Sequence, residues 1–149
     1  MTTKKSLLLF TMAGFILAVF VTNIMGEYLI SYYENEDGTV YSYDQESIKK
    51  NTEIVKVWTD WRYNKKNKDW SGLVKFCNEF TGNTADTCNK YSYEKLLHEI
   101  NCKDGKSRFD TTVLYDRDGN VIYSNSTPSG WEDIVPNSTE EGLKNRVCK

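Results

Sequence analysis

The sequence is short of the residues that most reactions need. It has one histidine, His98, in 149 residues, and no second titrating partner stands at a spacing that recommends it as base or orienter. It has no glycine-rich phosphate loop and no Gly-x-Ser-x-Gly elbow. Its four cysteines include no Cys-x-x-Cys knuckle, which argues against a four-cysteine zinc site. The net charge of -2 is nearly neutral, so nothing drives the whole chain toward nucleic acid or an anionic membrane. Ile, Leu, Val and Phe are sparse beyond the first segment. Tyrosine and tryptophan supply much of the apolar area instead, with rings that bury well and keep a polar edge. No catalytic residue, cofactor or metal site is expected, and the chain reads as a non-enzyme.

What is there begins with Lys4 and Lys5, followed by an uncharged run from Ser6 to Gly26. As a helix that run would span roughly 30 Å, the thickness of a bilayer core. Residues 1–26 therefore read as a signal peptide or an N-terminal membrane anchor, set aside from the fold. The lysines before it and Glu27 after it place the rest of the chain outside the cytoplasm, in the cell envelope or secreted. Ile24 occupies a position where cleavage prefers a small residue, so a retained anchor and a cleaved signal both stand. No cysteine ends the run, which excludes a lipid-modified N-terminus of the bacterial lipoprotein kind.

All four cysteines, Cys77, Cys88, Cys102 and Cys148, lie beyond that segment. An even count in an exported domain reads as disulfides, with three possible connectivities. Cys77–Cys88 and Cys102–Cys148 are favoured. The first closes a short polar loop, and the second ties a strand to the C-terminal helix. Loop closure assigns them roughly 3 and 4 kcal/mol.

Residues 27–149 read as one α+β domain, a small antiparallel sheet with a C-terminal helix packed on it. Glu27 to Tyr33, Thr39 to Asp44 and Ile54 to Trp58 have strand composition, with Asn35–Gly38 as a turn and a polar connection over Gln45–Glu53. Asp69 to Phe80 is expected to form a short helix, with Leu73, Phe76 and Cys77 on one face. Tyr93 to Cys102 fits either a helix or a strand. Strand is preferred, because Lys103–Lys106 makes a good hairpin connection to the alternating run Ser107–Tyr115. Asp116–Asn120 turns that run into Val121–Ser124. Its Asp-x-Asp-Gly spacing matches the start of a calcium loop but lacks the later ligands. Trp131 and Ile134 are expected to plug the sheet. Ser138 and Glu141 form a capping-box signature for a last helix whose Leu143 and Val147 face inward.

Residues 61–90 look like an insertion, with a basic-aromatic stretch before the first cysteine loop. Trp61, Arg62, Tyr63, Lys65, Lys66, Lys68 and Trp70 read either as a solvated loop whose tryptophans tuck onto the sheet edge or as a partner-contact surface. The stretch is too short and isolated to bind nucleic acid.

The order of several short motifs then carries a resemblance. Val40-Tyr-Ser-Tyr-Asp44 precedes Ser47-Ile48 and Val55-Lys-Val-Trp58. Glu99-Ile-Asn-Cys102, Arg108, Tyr115-Asp-Arg-Asp-Gly-Asn-Val121, Trp131, Ile134-Val-Pro136, Ser138 and Val147-Cys148 follow. Residues 39 to 149, with a gap at Trp61–Lys90, resemble the surface-adhesin protein E family of bacterial envelope proteins. The resemblance implies an exported adhesin-like domain that binds a protein or glycan at the cell surface. The rival expectation is an envelope accessory or structural protein that binds an assembly partner. Membrane contact is expected only through residues 1–26.

Overall fold

The computed structural model describes residues 28–64 and 70–149. The expected signal or anchor segment and Lys65, Lys66 and Lys68 lie outside the described residues. Strands β1 (Leu29–Glu34), β2 (Val40–Asp44), β3 (Lys49–Asn51) and β4 (Ile54–Arg62) come first. Helices α1 (Trp70–Thr81) and α2 (Ala85–Cys88) follow, then β5 (Tyr91–Asn101), β6 (Lys106–Asp116), β7 (Val121–Asn125), β8 (Glu132–Asp133) and α3 (Thr139–Val147). All strand pairs are antiparallel. The main path of the sheet runs β1-β2-β4-β5-β6-β7, with β3 paired to β4 and β8 to β6.

Local chemistry explains the boundaries. Gly38, at φ +80°, closes the β1–β2 turn, and a Cβ there would meet the Asn64 side chain at 2.7 Å. Only glycine meets both demands. The Asp116 side chain accepts from the backbone N–H groups of Asp118 and Asn120, which fixes the β6–β7 turn as an Asx structure. Ser138 caps α3 by accepting from the Glu141 N–H. Glu141 reaches back to the Asn137 N–H at 2.7 Å, one residue earlier than the capping-box pattern prescribes.

Because side chains alternate along a strand, the register sorts the sheet into two faces. On the inner face, Tyr43, Val55, Val57 and Ile100 meet Leu143 and Val147 of α3. Ile30, Tyr32, Ile48 and Ile134 pack around that core. The Cys102–Cys148 bridge pins the end of α3 beside it, and Cys77–Cys88 joins α1 to α2.

Three expectations need correction. The third strand does not end at Trp58. It runs to Arg62, because its polar residues are satisfied in place: buried Thr59 donates to the Leu96 carbonyl, and Arg62 clamps buried Asp60. The connection over Gln45–Glu53 is not simply a polar loop, since it contains a 3-10 turn at Gln45–Ser47 and strand β3. In α1, Cys77 is buried but Phe76 is 51% exposed, stacked on Phe80. The disulfide sets the helix's inward face and turns Phe76 toward solvent.

Candidate functional site

His98 is the first chemical candidate, and its setting is apolar. The ring lies 4.7 Å from Phe109 and 5.8 Å from Trp61, fully buried on the inner face. Neither ring nitrogen has a hydrogen-bond partner among the described residues. Burial lowers its pKa to about 3, so the imidazole is neutral and enclosed at ordinary pH. Its place opposite Val57 in the β4–β5 register turns the ring inward.

Glu94, on the same face, is the second candidate. Its carboxylate accepts a hydrogen bond from the Tyr63 hydroxyl and sits against Tyr91. Burial raises its pKa, and the two phenols offset part of that rise. Buried phenols and a shielded carboxyl make a satisfied polar cluster. Among the described residues no group of three or more His, Cys, Asp or Glu side chains is placed to hold a metal ion.

The residues of the basic-aromatic stretch part company. Trp61, the last but one residue of β4, lies on the inner face, 5.1 Å from the Tyr41 ring and 6.2 Å from Phe109. Tyr63 is held by Glu94, and Trp70 opens α1 stacked on Tyr91 at 6.4 Å. These three rings serve internal packing. Arg62 alone of the described members is exposed and points to the outer face, where it lies 4.8 Å over the Tyr93 ring and grips Asp60 through two bonds of 2.8 and 3.0 Å.

Among the described residues no helix packs on the outer face of the sheet. Cross-strand register puts Trp58 opposite Leu97, Asp60 opposite Lys95, Lys56 opposite Glu99 and Arg62 opposite Tyr93. The next pairing sets Tyr93 against Tyr115, whose rings stack at 4.8 Å, and Glu99 against Arg108. The core contacts of α3 all fall on the other face, and so do the ring contacts of α1 with Tyr91 and Tyr123. Long side chains do the covering here. Glu99 is 3% exposed because Lys56 and Arg108 close over it, and Arg108 in turn lies 4.6 Å over the Trp131 ring. Burial pushes the Glu99 carboxyl up, but hydrogen bonds from Lys56 and Arg108 outweigh it and hold the carboxyl below the usual range.

Two depressions mark this face. Leu29, Asp44, Trp58, Asp60, Lys95 and Tyr115 line a cleft of about 230 Å³. A broader groove of about 390 Å³ lies at the other end, beside Lys49, Ile54, Lys56, Glu99 and Arg108. The cleft is smaller than the roughly 300–1,000 Å³ of ordinary small-molecule sites. Its shape suits a contact surface. The available signal for this face was the parity of β4 and β5, in which charge and aromaticity fall on Lys56, Trp58, Asp60 and Arg62 and recur on Tyr93, Lys95 and Glu99.

The model of the Surface-adhesin protein E family matches residues 29–149. The chain belongs to that family. The match spans every strand and helix described above, including the 61–90 region where the sequence motifs were silent. No curated protein matches the chain. The family description makes this an adhesin-like surface protein, and the two disulfides fit an oxidising, extracytoplasmic compartment. Among the described residues no helix is long and apolar enough to cross a membrane.

Proposed function

We propose that this is a non-enzymatic adhesin-like binding protein of the cell envelope, and that the outer face of its sheet docks a protein or glycan at the cell surface. Residues 1–26 export the chain and, if retained, tie it to a membrane. The observation that carries the reading is the division of the sheet. One face is filled by α3 and aromatic packing, while the other presents Trp58, Tyr93 and Tyr115 among charged side chains that are already held in place. Rings flanked by fixed charges offer contact area at low entropic cost.

A second reading keeps the envelope location and replaces the ligand with an assembly partner. It is favoured by β1, an edge strand that follows exposed Tyr28 (63%) and carries exposed Tyr33 (40%), to which a partner strand can add. The test is binding of the full-length chain to matrix proteins, glycans and the cell's own envelope fraction. One variant carries Trp58→Ser and Tyr115→Ser, and another carries Lys65, Lys66 and Lys68 changed to Ser. Loss of matrix or glycan binding in the first variant supports the outer face. Loss only in the lysine variant moves the contact to residues 61–70. Binding to the envelope fraction alone favours the assembly reading.

A further inference from the structure

The groove at the β3 end of the outer face has a charge arrangement that folding alone does not favour. Lys49 of β3 lies directly opposite Lys56 of β4, and like charges placed across a strand pair repel. Lys56 is compensated by Glu99 and Asp110, and Arg108 by Glu99 and the Trp131 ring. Lys49 is exposed and forms no ion pair among the described residues. Lys49, Lys56 and Arg108 line this groove beside the carboxylates of Glu99 and Asp110, while Lys50, opposite inward-facing Val55, donates to the Lys149 backbone oxygen at 2.6 Å. The protein as a whole carries a charge of -2, so the groove is a local reversal of sign.

We propose that this groove binds a stretch of acidic polysaccharide, its sulfate or carboxylate groups lying between Lys49 and Lys56. The assignment rests on the reading of the outer face as the contact surface and names the chemistry of its occupant. Glu99 holds Lys56 and Arg108 in fixed positions, so two of the cations are ordered before the ligand arrives. An anion between Lys49 and Lys56 converts their repulsion into attraction. Trp58 stands two residues from Lys56 on the same face, about 7 Å along the strand, and supplies a ring for a sugar to lie on beside the charged groups. A membrane surface is a poorer occupant. The exposed large apolar residues, Tyr28, Tyr33, Phe76, Phe80, Val121 and Val135, lie outside the groove. A free inorganic anion would leave most of an open groove of about 390 Å³ unfilled.

The experiment uses the full-length chain in non-ionic detergent, titrated with heparin fragments, hyaluronate, neutral dextran, inorganic sulfate and soluble dihexanoyl phosphatidylserine. Heparin or hyaluronate should bind saturably, dextran should not, and binding should weaken as NaCl rises from roughly 0.05 to 0.3 M. Lys49→Glu should weaken polyanion binding by about tenfold and Lys49→Arg should restore it, since the term is one of charge neutralisation. Circular dichroism should be unchanged, because the Lys49 side chain is exposed. No binding of either polyanion overturns the proposal, as do full-strength binding by Lys49→Glu and equal binding of sulfate or the lipid. If Lys49→Glu is silent while the Trp58→Ser, Tyr115→Ser variant still loses surface binding, the polysaccharide assignment falls and the outer-face reading stands. If both variants bind like the wild type, both fall.

Discussion

Glu94 and Glu99 sit on the same strand, both almost fully buried, on opposite faces of the sheet, and their carboxyls are driven in opposite directions. On the inner face the partners of Glu94 among the described residues are two phenols, Tyr63 and Tyr91. On the outer face Glu99 meets Lys56 and Arg108. Burial is common to both, so the difference is the charge of the partners. The same contrast separates a face built to be closed from one built to carry charge.

Replacing Glu99 by Gln should destabilise the protein by about 2 kcal/mol at neutral pH, discounted from the 3–5 of a buried pair because Lys56 is half exposed. The folded carboxyl titrates below the unfolded one. Its contribution is therefore present above the usual carboxylate range and lost as pH falls through the lower, folded value. Urea unfolding between about pH 6 and pH 3 should show a shallower acid loss in Glu99→Gln than in the wild type. Parallel curves would contradict the ion triad.

Glu94→Gln should act the other way. A raised folded pKa adds stability at low pH that is lost as pH rises through the folded value. An uncharged amide still accepts from Tyr63, so the variant should gain about 1 kcal/mol at pH 7 and little at pH 4. A loss at pH 7 that shrinks at pH 4 would mean that the ionised carboxylate is the favoured partner of the two phenols.

His98 offers a direct check of the core, since the chain has no other histidine. Its folded pKa of about 3 lies below the ordinary 6.5. The neutral ring stabilises the fold above about pH 6.5, and that contribution declines as pH falls toward 3 because only the unfolded chain protonates. The imidazole proton resonances of the folded protein should stay flat from about pH 8 to pH 5. A midpoint near 6.5 would place the ring in solvent.

The two disulfides should differ in reach. Changing Cys102 and Cys148 to Ala should cost about 4 kcal/mol and speed amide exchange through α3 and β5, since this bridge closes the longer loop beside the core. Changing Cys77 and Cys88 to Ala should cost about 3 kcal/mol or less, with faster exchange confined to α1 and α2. A larger loss from the second pair would show that α1 holds the sheet together.

Much of this fold was legible because its signals are short-range. Alternation carried β6, the Asp-Gly turns carried the hairpins, and Ser138 with Leu143 and Val147 carried α3. The resolved ambiguity at Tyr93–Cys102 followed from the hairpin after it, since β5 reads equally well with helical spacing. β4 was cut short because Thr59, Asp60 and Arg62 look like the start of a loop. Their satisfaction comes from Leu96 and from the Asp60–Arg62 clamp, which only pairing with β5 creates. The candidate site was less legible for the same reason. Lys56, Glu99 and Arg108 are far apart in the chain and become one network only when three strands are set in register. The lysines near Lys65 are contiguous and so dominated the sequence reading.

The central claim is that the outer face of the sheet is the contact surface. Oxidative footprinting of the full-length chain, free and with its bound surface partner, tests it residue by residue. The account predicts that Trp58, Tyr93 and Tyr115 become protected while exposed Phe76 and Phe80 react as before. Protection of Phe76 and Phe80 with unchanged labelling of Trp58, Tyr93 and Tyr115 would contradict it and move the binding surface to α1.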